Sequence, residues 1–275
     1  MCLIVFDWRP DAERGPLFTL AANRDEFFRR TTAPLDWWRD APHLLAGRDL
    51  EGGGTWLGLS RDGRFAALTN YRAPRDVRPG APTRGALVAG FLTGAALAPL
   101  DYLREVAERG AIYNGFNLIV GDFRRRELGW YCNRGEASPV LVRAGTHGIS
   151  NAVLDTPWPK LVRKRAELAE LVALDREAKL AELIELMRDR RMARDDELPA
   201  TGIPLQRERA LSAAFIETPD YGTRGTTALR VSANGARLEV EIVERSDDDG
   251  SHHVVRPGGV ERHFSFDIEL VDSGG

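Results

Sequence analysis

The chain has 275 residues, 43% of them hydrophobic and 29% charged, with a formal net charge of −3 at pH 7. That composition excludes a wholly disordered chain, a collagen-like repeat and a disulfide-dense miniprotein. A near-neutral balance gives no basic footprint for nucleic acid, and no apolar run approaches the ~20 residues of a membrane-spanning helix. The apolar run 2–6 ends at Asp7 and has no basic leader, so no signal peptide is expected and a cytoplasmic location is. Only three of the 38 basic residues are lysines (Lys160, Lys164 and Lys179), a bias that reads as a GC-rich genome. Cys2 and Cys132 lack CxxC or CxxCH spacing, so neither structural zinc nor covalent haem is expected.

The N-terminal quarter is rich in strand signals. Residues 2–6 and 17–22 are apolar runs separated by a Pro- and Gly-containing turn over 9–16, and they predict a hairpin whose first strand starts at residue 2. Residues 56–59 and 65–71 flank Asp62-Gly63, a strong hairpin-turn pair. Helical patterning follows. Thr83 is placed to cap a helix carrying Leu87, Val88, Phe91 and Leu92; a second helix over 100–109 carries Tyr102, Leu103 and Val106 and stops at Gly110. Short strands resume over 116–120, 128–132 and 140–142. Thr156-Pro157 opens a helix with Leu161, Leu168, Leu171 and Val172 on one face, and Asp175 caps another with Leu180, Leu183, Ile184 and Met187. Residues 238–245 and the alternating run 264–270 return to strand, with a solvated loop over 247–250 and a tail over 273–275. Strands and helices come in blocks rather than one by one. This argues against a doubly wound parallel sheet and for two antiparallel sheets with helices outside, in one domain over 1–275.

Several positions carry chemistry. Removal of the initiator Met before a small Cys2 leaves a thiol (pKa ~8.5) and an α-amine (~7.7–8.0) on one residue. The amine is then the base for its own side chain, as in N-terminal nucleophiles. The competing reading of Cys2 is a small apolar residue opening a strand. Asn23-Arg24-Asp25-Glu26 closes the second apolar run. It either binds the α-amine and positions the thiol, or forms a solvated strand end. Asn70, Asn151 and Arg224 adjoin apolar segments. Asn donates to an oxyanion and Arg holds a carboxylate or organises a nucleophile, with turn chemistry as the alternative. Asn114, before Gly115, reads as a turn. Gly52-Gly53-Gly54 lacks the Lys-Ser/Thr of a phosphate loop. His43, His147, His252 and His253 read as structural or solvent-exposed, and the charge runs over 124–126 and 188–191 as solvated faces. Phe27, Phe28, Trp37 and Trp38 read as core packing.

Beyond Met1-Cys2, the chain carries in order the segments 21–27 (AANRDEF), 54–58 (GTWLG), 66–71 (AALTNY), 113–118 (YNGFNL), 133–136 (NRGE), 150–152 (SNA), 156–158 (TPW) and 221–224 (YGTR). Through them nearly the whole chain resembles the NRDE family, also called the transport and Golgi organisation protein 2 family. The resemblance implies an α+β N-terminal-nucleophile hydrolase fold, a four-layer αββα sandwich. It implies Cys2 as nucleophile, Asn70 and Asn151 as oxyanion donors and Arg224 as the organising cation. The Arg and Asp positions of the cysteine acylases that cut penicillin V and bile-salt amides fall on Asn23 and Glu26, with Arg24 and Asp25 between them in support. All six principal positions are expected to converge on one pocket. The function implied is intracellular handling of haem or of an acyl-CoA or lipid-type ligand, with delivery to protein clients, no resident metal and no required cofactor. The alternative is an N-terminal cysteine amidohydrolase that cleaves a C–N amide or related acyl bond.

Overall fold

Every residue of Cys2–Trp8 (β1) is buried, as in a strand covered on both faces. The structure, a computed structural model, describes residues 2–135, 138–174, 179–247 and 258–270. After β1 come β2 (Arg14–Phe27), β3 (Thr32–Trp37), β4 (Leu44–Asp49), β5 (Leu57–Ser60) and β6 (Arg64–Asn70). The helices α1 (Gly85–Thr93) and α2 (Pro99–Glu108) precede β7 (Phe116–Asp122), β8 (Glu127–Cys132), β9 (Val140–Leu141) and β10 (Gly145–Ile149). Then come α3 (Pro159–Ala173), α4 (Leu180–Leu186) and α5 (Leu205–Leu211), followed by β11 (Tyr221–Asn234), β12 (Arg237–Ser246) and β13 (Val260–Glu269).

The strands form two antiparallel sheets, ordered β10-β1-β2-β11-β12-β13 and β3-β4-β5-β6-β7-β8-β9. Alternation along each strand sorts side chains between two faces. In β1, Ile4, Phe6 and Trp8 enter the core between the sheets, where Phe18 meets Phe65 of the other sheet with ring centroids 5.1 Å apart. Leu3 and Val5 point the other way, onto Leu161 and Leu168 of α3 and onto Leu183 and Ile184 of α4. On the outer face of the second sheet, Ala66, Leu118 and Val120 pack against Leu87, Val88 and Phe91 of α1 and Leu103 and Val106 of α2. The layers are therefore helix, sheet, sheet, helix, as expected. Cys2 shares its face with Ile4 and Phe6, so its thiol looks between the sheets at their open end.

Local details depart from expectation. Thr83 does not cap α1; the helix starts at Gly85 after Arg84, without a side-chain cap. Its start is fixed by contact with Gly54, where a Cβ would clash with the Gly85 carbonyl. Thr156 does not cap α3: its hydroxyl donates to the Val153 carbonyl at 2.8 Å, and the helix begins two residues after Pro157, with Pro159 in the first turn. Gly110 opens a 3-10 turn directly after α2, which ends at Glu108 with Arg109 as its cap. The Asp62-Gly63 turn forms, with Gly63 at φ +91°. Residues 264–269 of the alternating run are the end of β13, at a sheet edge, and Leu270 lies just past it. Readings on Met1, Glu136, Asp175, 248–250, His252, His253 and 273–275 lie outside the described residues.

Candidate active site

The sandwich ends in a cavity of about 310 Å³ where β1 and β12 and the ends of β2 and β6 meet the loop before α1. Cys2 pairs with Arg24 across the first hairpin, and Arg24 pairs with Gly225 on β11. A register shift between Thr223 and Gly225 leaves Arg224 as the extra residue of a bulge, which re-aims its side chain. Cys2, Arg24, Asp25, Glu26, Asn70 and Arg224 all line the cavity.

Cys2 is a free thiol, 7% exposed. Burial pushes its pKa up, and the Asp25 charge acts in the same direction. A hydrogen bond from the Asp25 backbone and the Arg24 charge pull it down. Asp25 is buried; its Oδ1 accepts from Thr223 Oγ1 at 2.7 Å, and its carbonyl accepts from the Tyr221 hydroxyl at 3.0 Å. Burial raises the Asp25 pKa, opposed chiefly by the charge of Lys160. Glu26 accepts at Oε1 from the Phe27 N–H at 2.9 Å.

Arg224 fastens the neighbouring segments. Its Nε donates to Asp247 Oδ2 at 2.9 Å, and its Nη1 reaches the carbonyls of Phe27 and Arg30. Arg30 in turn forks onto Asp49 at 3.2 and 2.6 Å. Across the cavity, Glu244 is buried and accepts from the Leu35 N–H at 2.8 Å, with burial pushing its carboxyl up.

Two expected members stand elsewhere. Asn23 is wholly buried on the opposite face of the sheet, where Nδ2 donates to the carbonyls of Met187 and Ala214, both at 2.8 Å. Its Oδ1 accepts from Thr226 at 2.8 Å. Period-two alternation is the cause: Arg24 lies opposite Cys2, so the thiol's neighbour is Arg24 and Asn23 faces the helices. Asn151 lies behind the lining; its Nδ2 donates to the Asn70 carbonyl at 2.8 Å, while Ser150 donates to the Cys2 carbonyl at 3.4 Å. Of the two expected oxyanion donors, Asn70 opens on the cavity and Asn151 braces it.

Sequence reading missed Arg84, on the loop before α1, and Lys160, in the first turn of α3. Arg84 lines the cavity and donates from Nη1 to the Gly115 carbonyl at 2.9 Å. Neither residue stands in a motif with a spacing rule. The oddity of a lysine within an apolar helix face is the one signal that could have found Lys160.

The fold is thus a four-layer αββα sandwich whose first strand opens with a thiol onto a cavity. The model of the family Transport and Golgi organisation 2 matches residues 1–249. The chain is 41% identical over 261 residues to the Bos taurus Transport and Golgi organization protein 2 homolog, covering 90% of this chain and 93% of that protein. It is 38% identical over 274 residues to the Homo sapiens homolog, covering 93% and 97%. The chain belongs to this family. Among solved structures it is similar to the Caenorhabditis elegans ortholog of N-acylethanolamine-hydrolyzing acid amidase (TM-score 0.46, 9% identity, covering 96% of this chain and 100% of that one). It is also similar to the C2A mutant of the conjugated bile acid hydrolase from Clostridium perfringens (TM-score 0.45, 8% identity, covering 98% of each). No described helix is long and apolar enough to cross a membrane.

Proposed function

We propose that the chain binds an acyl compound bearing an anionic group, of the acyl-CoA type, in the Cys2 cavity. What supports this is the pair Arg24 and Arg84, which line the cavity with the thiol. Neither guanidinium has a carboxylate ion-pair partner among the described residues. By contrast Arg30, Arg48 and Arg224 at the same cavity are held by Asp49, Asp40 and Asp247. Burial pulls the Arg84 pKa down, a cost that an arriving anion offsets through charge-assisted hydrogen bonds. The carboxylates of haem would meet the same arginines, with Cys2 as the lining group suited to iron, so haem is the competing ligand. The relatives' names attach them to transport and Golgi organisation; by that likeness the ligand is handled in intracellular trafficking.

A second reading, acyl-bond cleavage, is favoured by the thiol's place beside Asp25 and the Asn70 amide. The Cys2 thiolate adds to the acyl carbonyl, with Asn70 donating to the oxyanion. The C–N or C–S bond then breaks, and the leaving group takes the proton given up by the thiol. Water cleaves the Cys2 thioester, releasing the acid and restoring the thiol.

One experiment tests both. Wild type, Arg84→Met and Cys2→Ala are titrated with palmitoyl-CoA, free CoA and haem, and assayed for turnover of palmitoyl-CoA and a panel of acyl amides. Binding of palmitoyl-CoA that Arg84→Met weakens about tenfold supports the first reading. Equal binding by wild type and Arg84→Met, or preference for haem, sinks it. Turnover abolished by Cys2→Ala adds the second reading, and its absence from wild type removes it.

A further inference from the structure

Lys160 breaks three rules at once. It is 1% exposed. It sits in the first turn of α3, where the helix dipole disfavours a cation. Its Nζ has no hydrogen-bond partner among the described residues. Lys164, one turn on and equally buried, shows what a structural lysine of this helix looks like: its Nζ meets Glu167 at 2.5 Å and Asp189 at 2.9 Å. A buried ammonium without partners costs stability. Retaining one beside a nucleophile is the kind of local violation that marks functional sites.

The place of Lys160 names its task. It precedes Leu161, which packs on Leu3 and Val5 of β1, next to Cys2 in the chain. Asp25, two residues on from Asn23 in β2, shares the face that Asn23 turns to the helices. Negative charge on Asp25 and Cys2 favours the protonated form of Lys160. Arg72, after β6, opposes it, although Arg72 is paired with Glu208 of α5 at 2.6 Å. In turn, Lys160 is the largest charge holding Asp25 in its ionised form, ahead of Arg24. We propose that Lys160 is a positioning residue for Cys2: the buried cation against which the Asp25 carboxylate and the Cys2 thiolate are held from the helix side of the sheet. Arg24 pairs with Cys2 across the hairpin and lines the cavity with it, so a second positive charge acts on the thiol from the cavity side. This rests on Cys2 being the reactive group of the site.

The test is the pH profile of Cys2 alkylation by iodoacetamide, followed by peptide mass spectrometry so that Cys132 is read separately. Lys160→Met is expected to move the profile up by about one pH unit and to slow alkylation at pH 7 roughly tenfold. Lys160→Arg, which keeps the charge, restores part of the rate. A Lys160→Met profile that coincides with wild type, or a Cys2 that is not alkylated at any pH, overturns the proposal. Should Lys160→Met fail to fold, reciprocity supplies a second measurement. With 13C-labelled lysine the chain has only three lysines to follow by NMR. Lys160 is expected to titrate at about 8, below the ordinary lysine value, and Cys2→Ser to move it lower still; a titration that Cys2→Ser leaves unmoved overturns the proposal. Neither readout uses a substrate, so absence of turnover removes the cleavage reading and leaves these titrations to decide Lys160.

Discussion

Arg72 and Glu208, 136 positions apart, meet at 2.6 Å with 6% and 5% of their side chains exposed. The Arg72 guanidinium also lies over the Trp158 ring, 4.7 Å from its centroid. The Arg72 backbone N–H donates to the Asn151 carbonyl at 2.7 Å. One buried pair thus ties α5 to the segment that follows Asn70 and, through the Arg72 backbone, to Asn151. Removing Glu208 takes the paired carboxylate from a buried guanidinium, so Glu208→Ala is expected to cost about 3–5 kcal/mol. Arg72→Met combined with Glu208→Leu recovers much of that loss. Urea unfolding of the two singles and the double checks this; a Glu208→Ala loss under ~1 kcal/mol contradicts it.

Asn23→Ala is expected to lower stability by about 2–3 kcal/mol, because it leaves the buried carbonyls of Met187 and Ala214 without a donor. In the folded variant, Cys2 alkylation and acyl-CoA affinity stay at wild-type values, since the side chain is on the other face of the sheet from the thiol. Denaturation midpoints and the alkylation rate separate the two effects. A variant of native stability with lost Cys2 reactivity would put Asn23 back in the site.

Those residues also show how far the sequence is legible. Apolar alternation and the Asp62-Gly63 turn are local signals, so β1, the β5–β6 hairpin and the α1 core face can be read directly. The central strand β11 could not: its first half, Tyr-Gly-Thr-Arg-Gly-Thr-Thr, is polar and glycine-containing, and its buried threonines find their role only against β2 and β12. The strands β3, β4 and β10 and the short α5 escaped for the same reason. The site was legible as a set of strand ends but not in its facing. Which of Asn23 and Arg24 meets the thiol depends on the register of the first hairpin, and one residue of slip exchanges them. Arg84 and Lys160 reach the site from a loop and a helix whose approach no local pattern encodes.

His147 supplies a pH-dependent contribution. Its Nδ1 lies 2.7 Å from Asp155 Oδ2 and its Nε2 3.0 Å from the Arg143 carbonyl, so both acceptors favour the imidazolium. The hydrogen bond to Asp155 raises its pKa. Burial pushes Asp155 up, but its hydrogen bonds, first that from His147, win and hold it down. A raised His pKa stabilises the fold fully below ~6.5 and is lost as pH climbs through the folded value, while the lowered Asp pKa contributes above ~3.9. His147→Gln is therefore expected to lower the Tm by about 2–4 °C near pH 5, a gap that closes towards pH 9. Thermal melts across that range check the slope; a gap that widens with pH contradicts the assignment.

Lys160 carries the opposite sign. Burial lowers its pKa from 10.5 to about 8. Between those values the folded protein holds fewer protons than the unfolded chain, so stability climbs as pH rises from about 8 to about 10.5. Below about 8, burying the ammonium costs the full difference, about 3 kcal/mol. Lys160→Met removes that cost at pH 7 but takes the counter-charge from Asp25, whose carboxyl then rises further and gives back part of the gain. The variant is expected to be more stable than wild type at pH 7, with an advantage that shrinks through pH 8–10 as wild-type Lys160 sheds its proton. Urea unfolding at pH 7, 8.5 and 10 measures it. A variant less stable than wild type at pH 7, with the gap narrowing upward, means that the ammonium is a net stabiliser of the fold. A variant more stable but slower in Cys2 alkylation shows a cation kept for the thiol at the expense of the fold.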